Sequence, residues 1–418
     1  MLADCEDDAM KVVSVEQLAS VLSDLPNNPR VIASGNVATP TVLLGVLDRQ
    51  VESYRLHMLN AQHGIPDREG VTYETTFIGP GMRGKERLHY VPCRLSLVPI
   101  LYRDHYRPDV VLLHTSARHH DTVSLGLETN VLPAAIEAAR DHGGLVIAQA
   151  NPKMPYTYGD AQIYDSDIDY LVEVDEPIPT PGGVELSDAS RRIGELIAAR
   201  IGSGSTMQMG IGAVPDAVLS SMTEVNHLSV WTEMFSDGVL TLERRGQLDP
   251  EIPVTASFAM GSRELYDWMD SNRRVRMLRT ENTNNPGNIS RQRQMTSVNA
   301  AIQVDLFDQA NASWVKGRIY SGFGGSTDFI VGALHSRGGQ SFMALPSWHP
   351  KANVSTIVPF INEPVTSFQH TYVATENGLA RTFGLSQSEQ ASNIINNAAH
   401  PDARDSLREA AVGFGLLK

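Results

Sequence analysis

An acid closes the strand-like run in VWTEMFSDGVLTL, residues 230 to 242. Leu228, Val230 and Thr232 alternate with Ser229, Trp231 and Glu233, a period that predicts a strand whose carboxyl end presents Glu233 just ahead of the Ser236-Asp237-Gly238 turn. Open α/β sheets build their sites at that end. A lone carboxylate there is ordinarily just solvated, so its meaning depends on its company. Two glycine turns supply candidates. MQMGIGAVPDAVL (207 to 219) runs a short strand into Gly210, Ile211 and Gly212, with Pro215 placed for the first turn of a helix, where its missing N–H is no loss. Such a turn aims backbone amides at an anion or a developing oxyanion. IYSGFGGSTDFIVGA (319 to 333) packs Gly322, Gly324 and Gly325 into a strand-to-helix transition that a ligand or a second backbone can approach closely. Between them, ENTNNPGNISRQRQMTSVNAAIQVDL (281 to 306) is dense in amides, and Asn285, held towards an extended conformation by Pro286, can turn its side chain to a site.

The elements that must position these residues read as βαβ units. RVIASG (30 to 35), DVVLLH (109 to 114) and GLVIAQ (144 to 149) predict buried strands, and VLPAAIEAARDHGG (131 to 144) predicts a helix with a glycine stop. That grammar favours a parallel sheet. DEPIPTPGG (175 to 183) interrupts the pattern before the helix LSDASRRIGELIAARI begins at 186, which places a domain boundary between 1–183 and 184–418. The second half repeats the style in VTASFAMG (254 to 261), SFMALP (341 to 346) and TYVATENG (371 to 378).

Composition narrows the functions. A chain of 418 residues exceeds what one core usually serves, and its net charge of −14 opposes binding to nucleic acid or an anionic membrane surface. Two cysteines, Cys5 and Cys93, are too few for a disulfide framework and lack a CxxC spacing. The acidic opening MLADCEDDAMKVV is unlike a signal or transit peptide, and no apolar run approaches a membrane span, so a cytoplasmic protein is expected. Other chemistries fare poorly. The third glycine of a dinucleotide fingerprint is replaced by Pro215, and no GxSxG elbow is present. His114, His119, His120 and Asp121 lack a recognisable ligand spacing, so no metal is expected.

GIGAVPDAVL, TEMFSDGV, NNPGNISR, MTSVNAAIQVDL, GFGGSTDFIVGA, IVPFI, VATENGLA and AHPDARDSL, with YTYGDAQIYDSDIDYLVE in the first half, follow one another in an order that resembles the acetyl-CoA hydrolase/transferase family of family I CoA-transferases. The similarity is greatest to its 4-hydroxybutyrate and butyrate CoA-transferase branch. The resemblance implies two similar open α/β domains of the NagB/RpiA-like kind with the active site at their interface. It implies coenzyme A, carried as acyl-CoA, and short-chain carboxylates as substrates, no metal, and a homodimer. It also implies roles: Glu233 as covalent nucleophile, Asn285 orienting its carboxylate, and the backbone around Gly210, Ile211 and Gly212 and around Gly322, Gly324 and Gly325 as oxyanion and CoA contacts. Arg291, Arg293, Lys316 and Arg318 are candidate partners for the CoA phosphates. Two alternatives stay open: an acyl-CoA hydrolase using the same glutamate, and a non-catalytic CoA-binding protein. HTSARHHDTVSLG (114 to 126) and Tyr156 depart from the family pattern, which leaves the carboxylate substrate unassigned.

Overall fold

The computed structural model describes residues 10–182, 185–365 and 369–418. Cys5 and the boundary expected at 183/184 lie outside the described residues. The chain forms two units, one of residues up to Pro181 together with Thr255–Asn282, the other of Gly182–Val254 and Thr283–Lys418. Both are α/β, as the sequence predicts.

The first unit is built on an eight-stranded sheet in the order Lys11–Val12, Tyr170–Glu173, Leu145–Asn151, Val110–Ser116, Arg30–Ala33, Tyr54–His57, Val71–Thr75, Leu88–Tyr90. Every pairing in it is parallel. The apolar runs explain this: Val111, Leu112, Leu113, Val146 and Ile147 are fully buried, as strands covered on both faces must be. Helix Leu132–His142 makes the crossover between two neighbouring strands and stops at Gly143, whose φ of 71° is the left-handed cap anticipated from its sequence. From Arg30–Ala33 the chain first builds one side of the sheet, then returns to build the other from Val110–Ser116. The strand order therefore reverses between these two strands. Thr255–Asn282 joins this unit through a long-range pairing, Val275–Met277 lying parallel to Tyr158–Gly159, which no local break in composition announces.

The second unit carries a six-stranded sheet in the order Ser229–Val230, Thr206–Met209, Thr296–Ala300, Gln340–Ala344, Tyr372–Thr375, Gly378–Arg381. All its pairings are parallel except the last, a hairpin. Helix Asp188–Ala198, capped by the Ser187 hydroxyl accepting from Ser190 N–H, packs on helix Ala213–Ser221. A methyl group at Gly194 would stand 2.5 Å from the Ala217 carbonyl carbon, so glycine sets how near these helices come. The strand expected to run from Leu228 to Glu233 is only Ser229–Val230. Thr232 ends it, its hydroxyl lying 3.1 Å from Met209 O and 2.9 Å from Met234 O and bending the backbone out of the ladder. Among the described residues no helix is long and apolar enough to cross a membrane.

Candidate active site

Glu233 follows that bend and is partly buried. Three residues of the amide-rich segment hold its surroundings. Trp231 Nε1 donates to Thr283 O at 3.0 Å, tying the strand end to that segment. The Thr283 hydroxyl donates to Asn284 Oδ1 at 2.9 Å, which fixes the orientation of the amide. Asn284 Nδ2 is thereby turned to Glu233 and donates to Oε2 at 2.8 Å. Asn284 is fully buried, so this bond is shielded from competing water.

A second donor arrives from the other direction. Gly325 stands at the N-terminus of helix Ser326–His335, and its backbone N–H lies near enough to the Glu233 carboxylate to favour the charged form. Helix N-termini gather unspent amides and a positive dipole end, so a carboxylate is favoured there. The approach is close enough that a Cβ on Gly325 would fall 1.8 Å from Glu233 Oε2 and 2.1 Å from Asn284 Nδ2.

Both donors are neutral, and electrostatics follows from that. Burial pushes the Glu233 carboxyl from its ordinary value of 4.5 up to about 7. The bond from Asn284 and that from Gly325 pull it down, while the charge of Asp328, buried in the first turn of the same helix, pushes it up. The result is a basic, oriented carboxylate facing preorganised N–H groups. Chemically, it can attack an activated carbonyl, and the same kind of donor can hold the oxyanion that results.

Asn285, which the sequence places beside the carboxylate, is elsewhere. Its Oδ1 accepts from Gly287 N–H at 2.8 Å and from Asn288 N–H at 3.3 Å, capping the short helix Pro286–Ser290. The physical reason was available: an asparagine directly before a helix-opening proline is in N-cap position. That leaves Asn284 as the amide free to face the acid. Gly210, Ile211 and Gly212 form a separate turn, Gly212 with φ of 118° preceding helix Ala213–Ser221 and Ile211 exposed. Gly322 and Gly324 lie in the loop that delivers Gly325, and Gly324 has φ of 55°. Arg291, Arg293, Lys316 and Arg318 are exposed, the last two on the hairpin of Trp314–Val315 and Arg318–Ile319. His114 is buried, with Nε2 3.0 Å from Asn151 Nδ2, and His119 and His120 meet ring edge to face. Among the described residues no group of three or more His, Cys, Asp or Glu could hold a metal ion.

The acetyl-CoA hydrolase/transferase C-terminal domain model matches residues 261–411. Over 420 residues the chain is 34% identical to the 4-hydroxybutyrate coenzyme A transferase of Clostridium kluyveri, covering 95% of this chain and 96% of that protein. It belongs to the acetyl-CoA hydrolase/transferase family. Within that family its class is CoA-transferase. The fold agrees: RipA from Yersinia pestis superposes with a TM-score of 0.90 at 28% identity, covering 97% of this chain and 98% of RipA. A 4-hydroxybutyrate CoA-transferase from Porphyromonas gingivalis superposes with a TM-score of 0.81 at 30% identity, again covering 97% and 98%. The Asn284-Asn285-Pro286 arrangement left open from sequence which amide faces the site, and the residues that sequence reasoning passed over are Thr283, Trp231 and Asp328. The signal that decides between the two asparagines is Pro286, which makes Asn285 the helix cap.

Proposed function

We propose that this CoA-transferase moves CoA from a short-chain acyl-CoA to a carboxylic acid through a thioester on Glu233. The observation that carries the reading is the Glu233 carboxylate held between two neutral donors, Asn284 Nδ2 and Gly325 N–H, with its basicity raised by burial. In the first step the carboxylate attacks the acyl carbonyl and CoA thiolate leaves, giving an acyl-glutamyl anhydride. The thiolate then attacks the glutamyl carbonyl, giving the enzyme thioester and releasing the donor acid as its carboxylate. An acceptor carboxylate reverses both steps. Charge balances at each stage without a proton transfer, so the residues must orient and stabilise anions, and the glycine turns supply amides suited to that. Hydrolysis would put water in place of the acceptor acid. The reading extends to a homodimer in a reducing, cytoplasmic compartment, supported by the two-cysteine composition and the family resemblance.

The test is to incubate the protein with acetyl-, propionyl- or butyryl-CoA, reduce with borohydride, and map the peptides by mass. The expected product is Glu233 reduced to its alcohol, in a yield that falls when acetate is added as a competing acceptor. An unaltered Glu233 peptide with all three thioesters would sink the proposal.

Because the attacking species is the anion and the folded carboxyl titrates at about 7, the single-turnover rate of thioester formation is expected to rise between about pH 5 and 8 with its midpoint near 7. A flat profile over that range would show that Glu233 is ionised throughout. The two asparagines should separate cleanly. Asn284→Ala removes a bond to a charged group, so the rate should fall by about tenfold to a hundredfold, and the midpoint should move upward because a bond that favours the anion is gone. Asn285→Ala removes a helix cap and is expected to cost about 1 kcal/mol of stability without moving the midpoint. Equal midpoints in the two variants would contradict the geometry.

A further inference from the structure

The hydrogen bonds around Glu233 form a closed circuit that begins at Trp231. Its indole Nε1 donates to Thr283 O at 3.0 Å, the Thr283 hydroxyl donates to Asn284 Oδ1 at 2.9 Å, and Asn284 Nδ2 donates to Glu233 Oε2 at 2.8 Å. The backbone from Trp231 through Thr232 to Glu233 closes the ring. Thr283 and Asn284 are fully buried, so water is kept from the links they make.

Packing gives the same side chain a second task. The partly buried Trp231 ring lies against the cluster of Ile289, Met295, Phe329 and Ala333. Ile289 belongs to helix Pro286–Ser290, and Phe329 and Ala333 belong to helix Ser326–His335, the element that delivers Gly325. These helices are pressed together: a Cβ on Gly332 would fall 2.4 Å from Ile289 Cγ2. One side chain therefore joins the strand end that carries the acid, the segment that supplies the amide, and the helix pair behind both. The place of the tie matters as well. Thr283 is the residue at which the chain re-enters the second unit after Asn282, so the bond from Trp231 fastens the entering chain to the strand of Glu233. Asn285 is already committed to capping its helix.

We propose that Trp231 is the positioning residue of this site, its indole N–H holding Thr283, and through it the Asn284 amide, in register with Glu233. The inference rests on the proposed role of Glu233 in transfer, while the titration of that carboxyl can be followed without turnover. Trp231→Phe keeps an aromatic ring on the apolar cluster and removes the N–H. The single-turnover rate of thioester formation is then expected to fall by about tenfold. Its pH midpoint should move upward, in the same sense as in Asn284→Ala, because a bond that favours the anion is loosened. Melting should drop by only about 2–4 °C. Thr283→Val breaks the next link and should raise the midpoint too, whereas Thr283→Ser keeps the hydroxyl and should not.

The deciding comparison combines two changes. If Trp231 acts through Asn284, the double variant of Trp231→Phe and Asn284→Ala loses no more rate than Asn284→Ala alone. Losses that multiply, or a Trp231→Phe midpoint equal to that of the wild type, would show that the indole only packs and would overturn the proposal. Isotope labelling of the glutamate carboxyls, read by NMR with Glu233→Gln to assign the signal, follows the titration directly. If that titration moves upward in Trp231→Phe while no acyl-CoA labels Glu233 after borohydride, the positioning stands and the transfer reading falls.

Discussion

Glu233→Gln is expected to lower CoA transfer on the order of 10⁴-fold or more, because an uncharged amide of the same shape cannot form the anhydride that begins the reaction. The variant keeps the volume and can still meet Asn284 and Gly325, so the loss should not come from unfolding. Stability should in fact move the other way. The folded carboxyl titrates at about 7 and its ordinary value is 4.5, so between those values the folded state binds more of this proton than the unfolded chain does. By linkage, wild-type stability falls as pH rises through that window, and the glutamine variant escapes the fall. Melting curves at pH 5 and pH 8 should therefore show the variant gaining on the wild type at the higher pH. A native-like variant that keeps a tenth of the wild-type rate would exclude Glu233 as the nucleophile.

Gly325→Ala should be nearly as damaging, on the order of 10³-fold, since it misplaces the reacting group and a donor together. The cause is steric: Gly325 has φ of −105°, which alanine adopts freely, but its methyl would stand 1.8 Å from Glu233 Oε2. The carboxylate must then leave both donors, and the amide of Asn284, 2.1 Å from the same methyl, must shift with it. Gly413→Ala is a fitting comparison, because a Cβ there meets nothing within 4 Å, and its rate should equal that of the wild type. Equal rates for the two variants would mean that the carboxylate does not work from the observed position.

Much of this architecture was legible in the chain. Continuous apolar runs such as VVLLH and LVIA become strands buried on both faces, and the glycine after ARDH caps its helix as expected. Glu233, just past a strand, and Gly325, at a helix start, stand close in space, and both local patterns were legible from periodicity and glycine spacing. What escaped depends on which partner each polar side chain takes. The choice between Asn284 and Asn285 turns on the Thr283 hydroxyl and the capping demand of Pro286. Thr232 ends its strand through two carbonyls, one of them on a neighbouring strand.

The division of the chain has a consequence for its biosynthesis. Chains leave the ribosome from the amino end, and domains generally fold as units in that order. Here the first unit is unfinished when residue 181 emerges, since Val275–Met277, which must lie beside Tyr158–Gly159, is still to be translated. Residues 182–254 of the second unit appear before that gap is filled, and residues 283–418 only after it. The nascent protein therefore waits with an open strand edge and a detached fragment of its second unit, and an unpaired edge is where chains pair with one another. Cutting the gene at a single point cannot yield two complete halves, for the polypeptide passes between them three times.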